Sequence, residues 1–155
     1  MTTASGSREV PHPRELVWQA LAVLQPYCAV CDVSYVVSGS PTGGTGTTFV
    51  CVPGRLDGTP PAAGAPRGEI VEWVPGTVVG TRLVLTPETW TTRIELADAG
   101  PGATRVTITL DHEATGGSRL VHRVQRGALR RLVRRTVDAE LDKLPAHIAQ
   151  VETAS

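Results

Sequence analysis

The sharpest alternation of apolar and polar positions lies at residues 105–113. Val106, Ile108 and Leu110 share one face, and Arg105, Thr107, Thr109 and Asp111 share the other. This is the two-residue period of a strand with one buried face. Strand-like segments also fall at 5–10, 33–37, 47–52, 69–74, 78–85 and 89–96, separated by turn-forming residues such as Pro75-Gly76 and the stretch 98–102. After Gly116-Gly117 the period changes. From Ser118, a helix-capping residue, to Val151, apolar positions recur at helical spacing. A shorter helix is expected at 13–22, with Pro13 in its first turn, Glu15 near its positive end, and Leu16, Val17, Ala20 and Leu21 on one face. Residues 27–31 read as one more helical turn. Consecutive strands joined by short turns make an antiparallel meander, and the long terminal helix is the element able to cover its apolar face.

Within the terminal helix the pattern is less uniform. Arg119, Arg123, Arg126, Arg130 and Arg134 form one stripe, with Val121, Val124, Ala128 and Leu132 opposite. Further along, Val133, Val137, Leu141, Leu144 and Ile148 are apolar on the arginine side, so the buried face is expected to rotate by about half a turn. Three explanations stay open: a bend near Gly127, a different contact for the first half, or arginines facing a cavity mouth.

Composition bounds the rest. The 155 residues suit a single domain, 1–155, that needs no disulfide or metal to fold. Formal charge is zero but unevenly placed. Seven arginines between Gly117 and Val137 give +7, and the remaining eight bases and fifteen acids give −7. A neutral total argues against a general nucleic-acid binder. No apolar run reaches the ~18 residues of a membrane span, and Met1–Ser7 lacks the pattern of a signal peptide. A cytoplasmic protein, monomeric or homodimeric, is expected. Residues 53–68 hold four prolines and four glycines and read as a flexible loop and candidate lid. Cys28-x-x-Cys31, with Cys51 elsewhere, lacks the βαβ setting of a redox pair and any His or Cys pair spaced for zinc. Small buried thiols, with no metal, are expected.

The local sequences add a resemblance. Residues 9–21, EVPHPRELVWQAL, give a strand, a proline turn and a helix with a Val-Trp pair. Gly44-Thr45-Gly46-Thr47-Thr48-Phe49 makes a Gly-rich entry to a strand. Residues 68–76, GEIVEWVPG, form the next strand and turn, and Gly102-Ala103-Thr104-Arg105-Val106-Thr107 forms a hairpin exit. In this order the chain resembles the START-like (SRPBCC) superfamily, and most nearly its polyketide cyclase/dehydrase-like branch. The resemblance covers nearly the whole chain. It implies an α+β helix-grip fold, with an antiparallel sheet of six to seven strands wrapped around a long C-terminal helix and enclosing a cavity. It implies no cofactor. The chain departs from the pattern in its longer, Pro-rich 53–68 segment and in lacking a Tyr/Arg/Ser constellation of a well-known aromatase.

Within that frame several residues are candidates. His112 continues the parity of Val106, Ile108 and Leu110 and is the candidate general acid or base; a hydrogen-bonded histidine at a strand end is the structural alternative. Trp90 and Thr92 share a strand face with Ile94 and Leu96 and are candidate cavity walls, Trp90 offering a flat surface to an aromatic ligand. Tyr35, Phe49 and Leu110 are further wall candidates. Arg82 shares its face with Gly80 and Val84; turned inward, it would need an anion or a carboxylate such as Glu72 or Glu88. Arg123 represents the basic stripe, either a solvated face or a site for a ligand anion or an acidic carrier protein. No Walker loop, dinucleotide fingerprint, HExxH or nucleophile elbow is present. The expected function is binding of a small hydrophobic, aromatic or polyketide-like molecule, extending to its cyclisation, dehydration or aromatisation if His112 acts on it. The alternatives are a non-catalytic carrier or sensor of a lipid-like ligand, or an interaction module using the basic helix. No nucleic acid or membrane is an expected partner.

Overall fold

The computed structural model describes residues 1–38, 43–85, 87–114 and 119–154. The elements are β1 (Thr2–Val10), α1 (Arg14–Leu21), β2 (Tyr27–Cys28), β3 (Val33–Ser38), β4 (Thr48–Pro53), β5 (Arg67–Val74), β6 (Val78–Leu85), β7 (Glu88–Asp98), β8 (Thr104–Ala114), α2 (Arg119–Asp142) and α3 (Leu144–Ala154). The strands form one antiparallel sheet in the order β1-β8-β7-β6-β5-β4-β3-β2. This is the expected helix-grip arrangement. The sheet has eight strands rather than six or seven, because Tyr27–Cys28 pairs with β3 as a short edge strand instead of forming a helical turn. Ser118 lies outside the described residues.

β8 anchors the fold. Val106, Ile108, Leu110 and His112 are buried on one face. On the other, Thr107, Thr109 and Asp111 hydrogen-bond Ser7, Ser5 and Thr3 of β1 at 2.8, 3.0 and 2.6 Å. The buried face meets Val133, Val137, Leu141, Leu144 and Ile148 of the C-terminal helices in one core cluster with Val10, Val17 and Leu96. Gly6 of β1 lies under α2, where a Cβ would stand 2.8 Å from Leu141 Cδ1 and 3.2 Å from Val137 Cγ1. The missing side chain is what lets helix and strand approach so closely.

The terminal helix is two helices. Pro145 has no N–H to give the carbonyl of Leu141, so the ladder is interrupted. That carbonyl accepts instead from Arg8 Nη1 at 3.2 Å. The buried face does not rotate as expected. Leu129, Val133, Val137, Leu141, Leu144 and Ile148 make one continuous row, half-buried at Leu129 and buried thereafter. The opposite side stays in solvent: Ala128 is exposed and Leu132 is 49% exposed. The side chains of Val121 and Val124 are outside the described set. α2 runs unbroken through Gly127. Arg126, Arg130 and Arg134 flank Leu129 over a groove against β1.

A second glycine shapes the sheet's inner face. Phe49 of β4 lies across Gly68 of β5, its register partner, and a Cβ on Gly68 would fall within 2.8 Å of three ring atoms. Gly68→Ala should therefore destabilise the fold by about 1–3 kcal/mol through overpacking. Gly64→Ala, which meets no atom within 4 Å, should leave stability unchanged or slightly raised. Urea unfolding of both variants checks the contrast.

Candidate functional site

The sheet's inner face and the segment after α1 border a partly open cavity of about 220 Å³. Leu21, Ala22 and Leu24 close it from the α1 side, and Tyr35, Phe49, Cys51, Ile70, Val79, Thr81, Leu83, Trp90, Thr92 and Ile94 of β3 to β7 form its walls. The inward parity of β7 produces the Trp90, Thr92 and Ile94 wall. Tyr35 and Phe49, opposed across neighbouring strands, meet edge to face at 5.8 Å between ring centres. Burial, and behind it the nearby thiols led by Cys51, push the Tyr35 phenol well up, so its hydroxyl stays protonated at neutral pH. Burial also pushes the Cys51 thiol up. The lining is apolar and aromatic, with a phenol and two threonine hydroxyls as its oxygen groups. Trp18 and Trp73 do not line it; they pack edge to face at 5.0 Å beneath α1.

His112 is 2% exposed and sits just behind this wall. Its ring lies 4.5 Å from that of Trp90. Its Nε2 is 3.4 Å from Glu88 Oε2, and the same oxygen accepts from Trp90 Nε1 at 3.2 Å. His112 Nε2 makes no hydrogen bond among the described residues. On its far side His112 borders an open groove of about 780 Å³ lined by Met1–Ala4, Ala114, Arg126, Leu129, Arg130 and Arg134. Arg134 also bonds the Ser5 carbonyl at 2.6 Å and Asp138 at 2.8 Å. The Trp90–His112 pair thus stands between an apolar cavity and an arginine-lined groove.

The other candidates fall elsewhere. Arg82 is exposed on the sheet's outer face, in a shallow hollow with Arg67 and Glu69. The carboxylates considered for it are engaged: Arg93 donates to Glu72 at 2.8 and 3.2 Å, and Trp90 donates to Glu88. Leu110 belongs to the packed core, not the cavity lining. Arg123 is exposed and does not line the groove. The 53–68 segment hangs from the far end of β4 and β5. It lines a second hollow together with Cys51, a residue that also borders the cavity.

A cluster that sequence spacing could not reveal lies at the β2 edge. Cys28 Sγ is 3.8 Å from His147 Nδ1, and Cys31 Sγ is 4.0 Å from His147 Nε2. Burial, then Cys28, push the Cys31 thiol up to about 11, and burial holds the His147 imidazole below its usual value. The Cys-x-x-Cys was visible in the chain. Its histidine is 119 residues from Cys28, and only the docking of α3 against β2 brings it there.

Comparisons with known proteins agree with this architecture. A family model described as "Polyketide cyclase / dehydrase and lipid transport" matches residues 1–149. No curated protein matches the chain. Among solved structures, TTHA0849 from Thermus thermophilus is 21% identical, with a TM-score of 0.65 over 96% of this chain and 97% of that one. Norcoclaurine synthase from Thalictrum flavum is 10% identical, with a TM-score of 0.63 over 99% and 87%. Ara h 8.0201 is 15% identical, with a TM-score of 0.61 over 97% of both chains. At these identities the likeness is one of fold.

The contact of His112 with Trp90 generates a stability prediction. A buried ring nitrogen without a hydrogen bond adds no stability and carries a desolvation cost of about 1–3 kcal/mol; relief of that cost by a phenyl ring is partly offset by the ring's extra volume. His112→Phe, which keeps an aromatic ring against Trp90, should match the parent protein in urea unfolding to within about 1 kcal/mol. His112→Ala should lose about 2–4 kcal/mol by opening a cavity. A large loss in His112→Phe would show that the Glu88 contact carries the energy instead.

Proposed function

The chain belongs to the polyketide cyclase/dehydrase and lipid transport family, and from that premise we propose that it binds a small, flat, hydrophobic molecule in the cavity of the sheet. The observation that carries this is the lining itself: aromatic walls from Tyr35, Phe49 and Trp90, aliphatic closure from Leu21, Ala22 and Ile94, and a protonated phenol as hydrogen-bond donor. Aromatic faces and a few polar groups in an apolar hollow suit an aromatic or polyketide-like ligand. Binding without turnover is the reading the geometry favours. Proton transfer requires the acid or base to reach the reacting atom, and the His112 ring lies behind Trp90 rather than on the lining. Cyclisation, dehydration or aromatisation by His112 of a ligand held in the cavity would need Trp90 to move aside.

The arginine-lined groove supports a second reading, docking of an acidic carrier protein beside β1. Arg126 and Arg130 face it, and no carboxylate lines it among the described residues. Cationic clefts of this kind recruit anionic partners in a salt-sensitive way.

Titration with 2-naphthol should quench tryptophan emission saturably. Thr92→Phe, which fills the cavity, should weaken binding at least about ten-fold, worth ~1.4 kcal/mol. Trp90→Phe should lose most of the quenching while a calorimetric binding signal remains. Equal affinity in Thr92→Phe would rule the cavity out as the site. For the groove, an acidic carrier protein should be retained at low salt by the parent protein and released by the Arg126→Glu, Arg130→Glu double variant. Retention by that variant would count against docking there.

A further inference from the structure

We propose that Cys28, Cys31 and His147 form a zinc-class metal site that fastens the C-terminal helix α3 to the sheet's edge strand. The three candidate ligand atoms lie within 4.8 Å of one another. Metal–sulfur bonds of about 2.3 Å and metal–nitrogen bonds of about 2.0 Å place sulfur and nitrogen about 3.6 Å apart in a tetrahedron. The thiols lie 3.8 and 4.0 Å from different ring nitrogens; with one nitrogen taken as the ligand the three atoms span up to 4.8 Å, so they must close by about 1 Å around an ion.

The surroundings hold the cysteine turn in place. The Ala29 N–H, between the two cysteines, donates to Gln150 Oε1 of α3 at 2.9 Å. Tyr27 donates to Asp32 Oδ1 at 2.6 Å, and Arg55 stacks over the Tyr27 ring at 4.0 Å. Asp32, next to Cys31, has φ of 51°, the left-handed conformation that non-glycine residues seldom adopt and that aspartate tolerates best. Its carbonyl accepts from the Gly54 N–H at 2.8 Å. The turn is thus tied to both the sheet and the helix that carries the histidine.

The donor set selects the metal. Two thiolates and one imidazole suit zinc, with soft copper(I) as the competitor. Binding releases one proton from each thiol as the metal–sulfur bonds form, and neutral imidazole supplies the third bond without losing a proton. Two thiolates cancel the charge of a divalent ion. The adjacent Lys143–Glu140 pair at 3.0 Å adds no net charge, so the half-buried site stays neutral. Three protein ligands leave one position for water or an exogenous donor.

The test uses the full chain without an affinity tag, reduced and handled under nitrogen, with cobalt(II) as the spectroscopic stand-in for zinc. The expected result is a thiolate-to-cobalt charge-transfer band that saturates at one equivalent and is displaced by zinc. Cys28→Ser and His147→Gln should each weaken cobalt binding at least ten-fold, while His12→Gln binds as the parent does. Should the ligand variants fail to fold, zinc must still raise the parent's melting temperature and a chelator lower it. No charge-transfer band in the reduced parent, or an undiminished band in folded Cys28→Ser or His147→Gln, overturns the proposal. None of these readouts depends on what the cavity binds.

Discussion

Everything else in the molecule depends on one packed seam. The row Val133, Val137, Leu141, Leu144 and Ile148 meets the inner face of β8 and crosses β1 at Gly6. Burying each such aliphatic side chain contributes about 1.5–3 kcal/mol. The exposed ion pairs around it, such as Arg134–Asp138 and Arg105–Glu9, are worth about 0–1 kcal/mol each. The seam therefore outweighs the surface charges in fixing where the helix lies. It also tolerates a proline because Arg8 takes over the carbonyl that Pro145 leaves without a donor.

The seam spares the rest of the concave face. Because α2 is held against β1 and β8 and α3 lies against α1, the inner surfaces of β3 to β7 are left to α1 and the residues after it. Those residues leave a hollow instead of filling it. The same geometry accounts for the arginines. Where the row reaches Leu129, its neighbours become Arg126 and Arg130, and the helix stands over a groove instead of a core. Trp90 and His112 are adjacent across β7 and β8, so the cavity and the groove share a wall two rings thick.

How much of this was legible follows from the range of each interaction. The strand face of Val106, Ile108, Leu110 and His112 could be read directly, because alternation is a local property and β8 obeys it from Thr104 to Glu113. The Trp90, Thr92 and Ile94 wall was legible for the same reason. Arg82 was ambiguous. Its strand parity was clear, but which parity faced inward depended on β5 and β7, and Glu72 turned out to be held by Arg93. Tyr27–Cys28 looked helical because two residues carry no period; pairing with Val33 and Ser34 made them a strand.

The sequence by itself determined the meander, the terminal helical cover and the apolar row that joins them, because each is written in residue spacing of two or of three to four. Only the tertiary structure decided that the row continues back to Leu129 without rotating, that His112 lies behind Trp90, and that His147 meets Cys28 and Cys31. Those outcomes rest on contacts between segments far apart in the chain, and such contacts leave no periodic trace in either segment.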